Sequence, residues 1–306
     1  MNKIILFLLC FLLGSSFSTF AQGRDREIKI SRQQESPVKT VKVRGKGKIK
    51  NVVFMIGDGM SLAHMYSTWA ANKGKLNLEN CQTVGLAKTY CYDRLITDSG
   101  AAGTALATGH KTRYHAVGVD PEGKPLLTLT DLAAAKSKST GVVVTCRLND
   151  ATPAAFCAHN SDRDQAEALI ADYAGCGVDF IFGGGKRYFC ERKDGRNILE
   201  EMKALGYQTP ENQEQLDAIQ TGKVLAVWAD HDLPRPSVRK EMLTESTMKA
   251  LELLSQNKKG FFLMVEASQI DDYGHANQLD PLVEEILDFD RTIGKVFEWA
   301  AADGET

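Results

Sequence analysis

Short, continuously apolar runs alternate along the chain with stretches whose apolar residues recur every three or four positions. The runs cover residues 51–56, 84–90, 141–146, 178–182, 224–228 and 261–267. Helical spacing occupies residues 164–174, 198–205, 240–254 and 282–301. Strands that are apolar on both faces and separated by helices predict a doubly wound α/β fold, with a largely parallel central sheet and helices on both faces. In such sheets ligands bind beyond the carboxyl ends of the strands, so the polar residues directly after each run are the ones to examine for chemistry.

Composition changes this picture little. The 306 residues are 43% hydrophobic and 25% charged, and 37 basic against 39 acidic side chains leave a formal charge of −2. That balance gives no whole-molecule field for nucleic acid or an anionic membrane. Residues 1–21 read as a secretory signal: Lys3 is the positive lead, residues 4–13 are apolar, and small residues precede Ala21. The apolar part is too short to span a bilayer. The expected location is therefore periplasmic or extracellular. Residues 22–48 read as a polar, basic, solvated linker, and 49–306 as one catalytic domain. Six cysteines follow the signal (Cys81, Cys91, Cys146, Cys157, Cys176 and Cys190), and in an oxidising compartment an even number favours disulfides. Their pairing is open at this level.

The strand ends share one kind of chemistry. After the first run comes "GDGM", where Gly57 and Gly59 permit a sharp turn and close approach, with the Asp58 carboxylate directed into the cleft. It fails as a dinucleotide fingerprint, because Leu62 stands where Gly or Ala is required. The stretch "TDSGAAGTALATG" (97–109) places Ser99 at the start of a helix of small residues, either as a cap or as an accessible nucleophile beside backbone N–H groups. "CRLNDATPAAF" supplies Asp150 and Thr152, hard oxygen donors suited to magnesium. Arg163 follows, with a planar fork that can hold two phosphate oxygens. The last run ends in "MVEASQIDDYGHANQ", where Glu266, Asp271 and His275 combine carboxylate oxygen with imidazole nitrogen, a metal-ligand set.

Together "GDGM", "TDSGAAGTALATG", "DATPAAF" and "VEASQIDDYGHAN" resemble the alkaline phosphatase family, over roughly residues 50–306. The resemblance implies two zinc ions and one magnesium. It makes Ser99 the nucleophile that becomes phosphorylated, Asp58 a bridge between one zinc and the magnesium, and Arg163 the phosphate ligand. Thr152 and Glu266 would hold magnesium, with Asp150 in or just behind its shell, and Asp271 and His275 would hold the other zinc. Small phosphate monoesters would be the substrates, and a homodimer is compatible with the family. Asp272 stands where members often carry a basic residue. The family's remaining zinc ligands are expected beyond Thr306, so the domain reads as lacking its C-terminal part. A related phosphodiesterase or phosphotransferase, and a non-catalytic secreted protein that binds metal or phosphate, are the alternatives. A sulfatase is not, since no cysteine here lies in a C-x-P-x-R motif.

Overall fold

In the computed structural model of the chain, which describes residues 35–43, 45 and 47–306, six strands form one sheet in the order β1-β6-β2-β3-β5-β4, every neighbouring pair parallel. In chain order the elements begin with β1 (Val52–Gly57), α1 (Leu62–Ala71), α2 (Ser99–Thr108) and α3 (Leu129–Ala134). Next come β2 (Ser139–Arg147), α4 (Ala151–Cys157), α5 (Ala166–Tyr173), β3 (Phe180–Gly184), α6 (Lys186–Cys190) and α7 (Ile198–Ala204). The remainder is β4 (Tyr207–Gln208), α8 (Gln213–Ala218), β5 (Lys223–Val227), α9 (Pro236–Arg239), α10 (Met242–Leu254), β6 (Phe261–Ala267), α11 (Gln269–His275) and α12 (Leu279–Asp303). The doubly wound α/β expectation holds.

Alternation of side chains along β2 and β6 gives the sheet two buried faces. Val142, Val144, Phe262 and Met264 meet Phe156, Leu169 and Tyr173 in the core on one side. Phe156 lies between Phe54 and Phe262, with ring centroids 6.3 and 6.1 Å away. Each such fully buried side chain contributes about 1.5–3 kcal/mol relative to exposure. On the other face α10 packs on β2, β3 and β6. There Gly141 is closely covered, for a Cβ on it would stand 2.8 Å from Leu254 and Leu263.

Two differences from the sequence reading have plain causes. Residues 84–90 form no strand, and Val84 and Leu86 are 87% and 97% exposed, so an apolar run found no neighbour to pair with. Conversely, β4 is only two residues long and leaves no periodicity to read. The segment read as a solvated linker is, at residues 36–41, tied down by asparagines. Asn72, Asn77 and Asn80 accept from the backbone N–H groups of Ser36, Lys39 and Val41. Side-chain amides that bind backbone have no hydrophobic signature. The signal reading on residues 1–21 lies outside the described residues.

The topology fixes the site. β6 lies between β1 and β2, with Glu266 in register with Ile56 and Val144. The segments carrying Asp58, Asp150 and Asp271 therefore leave adjacent strands at the same end of the sheet.

Candidate functional site

Ser99 is the first residue of α2, but the cap is Asp98, whose carboxylate accepts from the N–H groups of Gly100 and Ala101. The capping role considered for Ser99 thus falls to its neighbour. Its hydroxyl is left to donate to Asp58 Oδ2 at 3.0 Å. The same bonds occupy two N–H groups at the helix start that sequence reasoning had offered to an anion.

Arg163 compensates. Its Nη1 donates to Asp98 at 3.1 Å and its Nη2 to Asp150 at 3.0 Å. Asp150 also receives Arg147 Nη2 at 2.9 Å, and Arg147 Nη1 reaches Asp232 at 3.0 Å. The result is a row of alternating charge, Asp232–Arg147–Asp150–Arg163–Asp98, running from the loop after β5 to the cap of the Ser99 helix. Burial alone would raise Asp98, yet hydrogen bonds from Ala101, His115, Arg163 and Gly100 hold it below the usual carboxylate range. Burial opposes the charge on Arg163, but Asp150 and Asp98 outweigh it and its guanidinium stays firmly protonated.

Glu266 is buried, and its two oxygens are treated differently. Oε2 accepts from Ser268 at 2.7 Å and faces Cys146 Sγ at 3.8 Å, whereas Oε1 has no partner. Burial, then the charge of Asp58, pushes Glu266 well above its ordinary pKa despite the hydrogen bond from Ser268 and the nearby Thr152 hydroxyl. Asp58 is pushed to about 6, first by burial and then by Asp271. Asp272, which stands where a basic residue was expected, is raised to about 6 by burial and by Asp232 and Asp150, with Arg147 pulling the other way.

Asp271 and His275 lie one turn apart on α11, Oδ2 to Nε2 3.3 Å, with His275 81% exposed. Gly59, at φ +62°, lies against Asp271, so that a Cβ there would come within 2.3 Å of Oδ1. Asp58, Ser99, Asp150, Thr152, Arg163, Glu266 and Asp271 are therefore drawn to one end of the sheet, and His275 stands at its rim. Among the described residues, the trio of His, Cys, Asp or Glu whose ligand atoms all lie within 4.8 Å of one another is a different one, His115, Asp162 and Asp164. No trio drawn from Asp58, Asp150, Glu266, Asp271 and His275 meets that limit. Sequence reading missed Asp98, Arg147, Asp232 and Ser268. Asp98 and Asp232 had a usable signal, one adjoining the serine and the other closely following β5.

An α/β sheet with a serine, an arginine and several buried carboxylates at the ends of its central strands defines a phosphate- and cation-handling class of protein. The comparisons narrow the class. An alkaline phosphatase family model matches residues 49–306. The chain is 37% identical over 291 residues to alkaline phosphatase 4 of Bacillus subtilis, covering 89% of this chain and 63% of that one. It is 30% identical to the Escherichia coli alkaline phosphatase, covering 84% and 68% respectively. Alkaline phosphatase from the Antarctic bacterium TAB5 superposes with a TM-score of 0.82 at 35% identity, covering 85% of this chain and 77% of the other. A mutant of the TAB5 enzyme with magnesium bound gives 0.81. This chain belongs to the alkaline phosphatase family. It spans 63% and 65% of the length of two Bacillus subtilis relatives.

Proposed function

We propose that this chain carries the nucleophile, the phosphate ligand and the magnesium-binding half of a phosphomonoesterase that works through a phosphoserine. The observation behind this reading is the 3.0 Å hydrogen bond from the Ser99 hydroxyl to Asp58, beside an arginine fixed between two carboxylates. Magnesium fits the residues present. Glu266 Oε1 is a buried carboxylate oxygen with no partner, and Asp58 and Thr152 add hard oxygen atoms near the same carboxyl group. Zinc fits in part, because Asp271 and His275 give one oxygen and one nitrogen donor where catalytic sites use three protein ligands. When bound, the divalent cations supply Lewis-acid stabilisation to phosphoryl and hydroxyl oxygens.

The protein's own contribution is placement. Asp58 accepts the Ser99 hydrogen bond and thereby orients Oγ away from the cap. Asp98 and Asp150 hold the Arg163 fork in one plane before substrate arrives, so little side-chain entropy is lost when it meets phosphate oxygens. Small phosphate monoesters are the substrates in this reading, outside the cytoplasm, as the residue 1–21 pattern suggests.

The test is to supply the protein with zinc and magnesium, quench it in acid during turnover of p-nitrophenyl phosphate and map the phosphopeptide. Phosphate is expected on Ser99, and Ser99→Ala should lose at least about a thousandfold in kcat, as removal of a nucleophile does. Phosphate on another residue, or an undiminished Ser99→Ala variant, overturns the reading.

A further inference from the structure

Two cysteines outside the site are placed together by helix packing. Cys157 is the last residue of α4 and is buried, and Cys176 sits half-buried in the turn after α5, packed against the core cluster that contains Cys157. The two thiols are close enough to perturb each other's ionisation, and Cys176 Sγ donates to the Tyr173 carbonyl at 3.3 Å. Both line one cavity of about 480 Å³, together with His159 and Asp172. Two other cysteines are engaged elsewhere: Cys91 Sγ donates to Asp93 and Arg94, and Cys146 Sγ to Glu266.

We propose that Cys157 and Cys176 are an oxidisable dithiol that closes to a disulfide, stapling the helix of Asp150 and Thr152 to the turn after α5. The backbone around Cys176 has the freedom to bring the sulfurs together. Gly175 and Gly177 flank it, and Gly177 holds φ +71° with open space on its Cβ side. The cavity leaves room for the movement.

The two thiols also divide the chemistry. The neighbouring Cys157 thiol lowers the Cys176 pKa, while burial, followed by Cys176 itself, raises Cys157 well above the ordinary value. Cys176 is thus the more readily ionised and the more exposed of the two. It attacks one sulfur of an external disulfide, either that of an exported thiol–disulfide oxidoreductase or oxidised glutathione, and expels that partner's other sulfur as a thiolate. The Cys157 sulfur then gives up its proton to solvent and attacks Cys176, forming the intramolecular bond and releasing the partner's second sulfur. Two electrons pass to the external disulfide, which leaves as two thiols, and the protein loses two hydrogens.

The pair can be tested on the full chain, without metal or substrate. The protein is equilibrated with glutathione buffers from fully reduced to fully oxidised, quenched in acid, alkylated with N-ethylmaleimide and digested without reductant. A peptide pair joined through Cys157 and Cys176, two hydrogens lighter than its parts, should appear as the buffer becomes oxidising. It should be absent from Cys157→Ser. The wild-type digest decides the matter alone if that variant does not fold. Both cysteines alkylated at the most oxidising ratio, or Cys176 ending as a glutathione adduct with Cys157 alkylated, would overturn the proposal.

Discussion

At the scale of single residues, the two oxygens of Glu266 show how the site is aimed. Ser268 holds Oε2 at 2.7 Å, which leaves Oε1 buried and free to take a ligand. Ser268→Ala should free the carboxylate to rotate and weaken magnesium binding by about ten- to a hundredfold, the usual effect of losing a residue that orients a ligand. Titration calorimetry of magnesium into the EDTA-stripped protein measures this directly, and Ser268→Thr should restore most of the affinity. Unchanged affinity in Ser268→Ala would remove Ser268 from this role. The sequence made the ligand-type residues legible because Asp, Glu, His and Ser at strand ends have few other reasons to cluster. It did not reveal their holders. Arg147 looks like any surface cation until it is seen between Asp150 and Asp232, and Ser268 like any loop serine. Gly59 was legible as a turn, while its second reason, contact with Asp271, needed the fold.

Between elements, the decisive contact is α2 against α4, the helices that begin at Ser99 and just after Asp150. They approach closely because Gly103 presents no side chain. A Cβ there would lie 3.2 Å from Ala155 and 3.3 Å from Thr152 Cα. Gly103→Ala asks its neighbours to yield only a few tenths of an ångström and gains helix propensity, so its net effect on stability should stay within about 1 kcal/mol. Gly103→Leu must part the helices and should cost about 1–3 kcal/mol by overpacking. Urea denaturation distinguishes the two, and a Leu variant as stable as the Ala variant would show that the interface is looser than drawn. Elements were legible where burial was continuous: β2, β3, β5 and β6 coincide with apolar runs to within about two residues, the usual uncertainty of boundaries. The helix predicted at 240–254 is α10, which begins two residues later because Lys240 takes φ +60° and separates it from the short α9. The run at 84–90 failed for the opposite reason, since apolar content says nothing about whether a partner strand is alongside.

For the molecule as a whole, the buried carboxylates set an unusual pH dependence. Asp58 and Asp288 are each raised to about 6, chiefly by burial, Glu266 is raised further by burial and by Asp58, and Asp272 is raised to about 6 by burial and Asp232. In the unfolded chain these groups titrate near 4. Between about pH 4 and 6 the folded protein therefore binds more protons than the unfolded one, and stability must fall as pH rises through that window. Groups held low, such as Asp98, act in the opposite sense but only below the ordinary carboxylate pKa. Stripped of metal with EDTA, the protein should accordingly gain on the order of a few kcal/mol between pH 7 and pH 5 before it loses stability in stronger acid. Magnesium changes the balance, because a cation beside Asp58 and Glu266 favours their charged forms. With saturating magnesium the gain on acidification should shrink, and the pH of greatest stability should move toward neutrality. Urea midpoints measured from pH 4 to 8, with EDTA and with magnesium, give both curves. A midpoint in EDTA that drops steadily from pH 7 to pH 5 would mean that these carboxylates are not buried as anions in the metal-free fold, and that the cluster opens to water when no cation holds it.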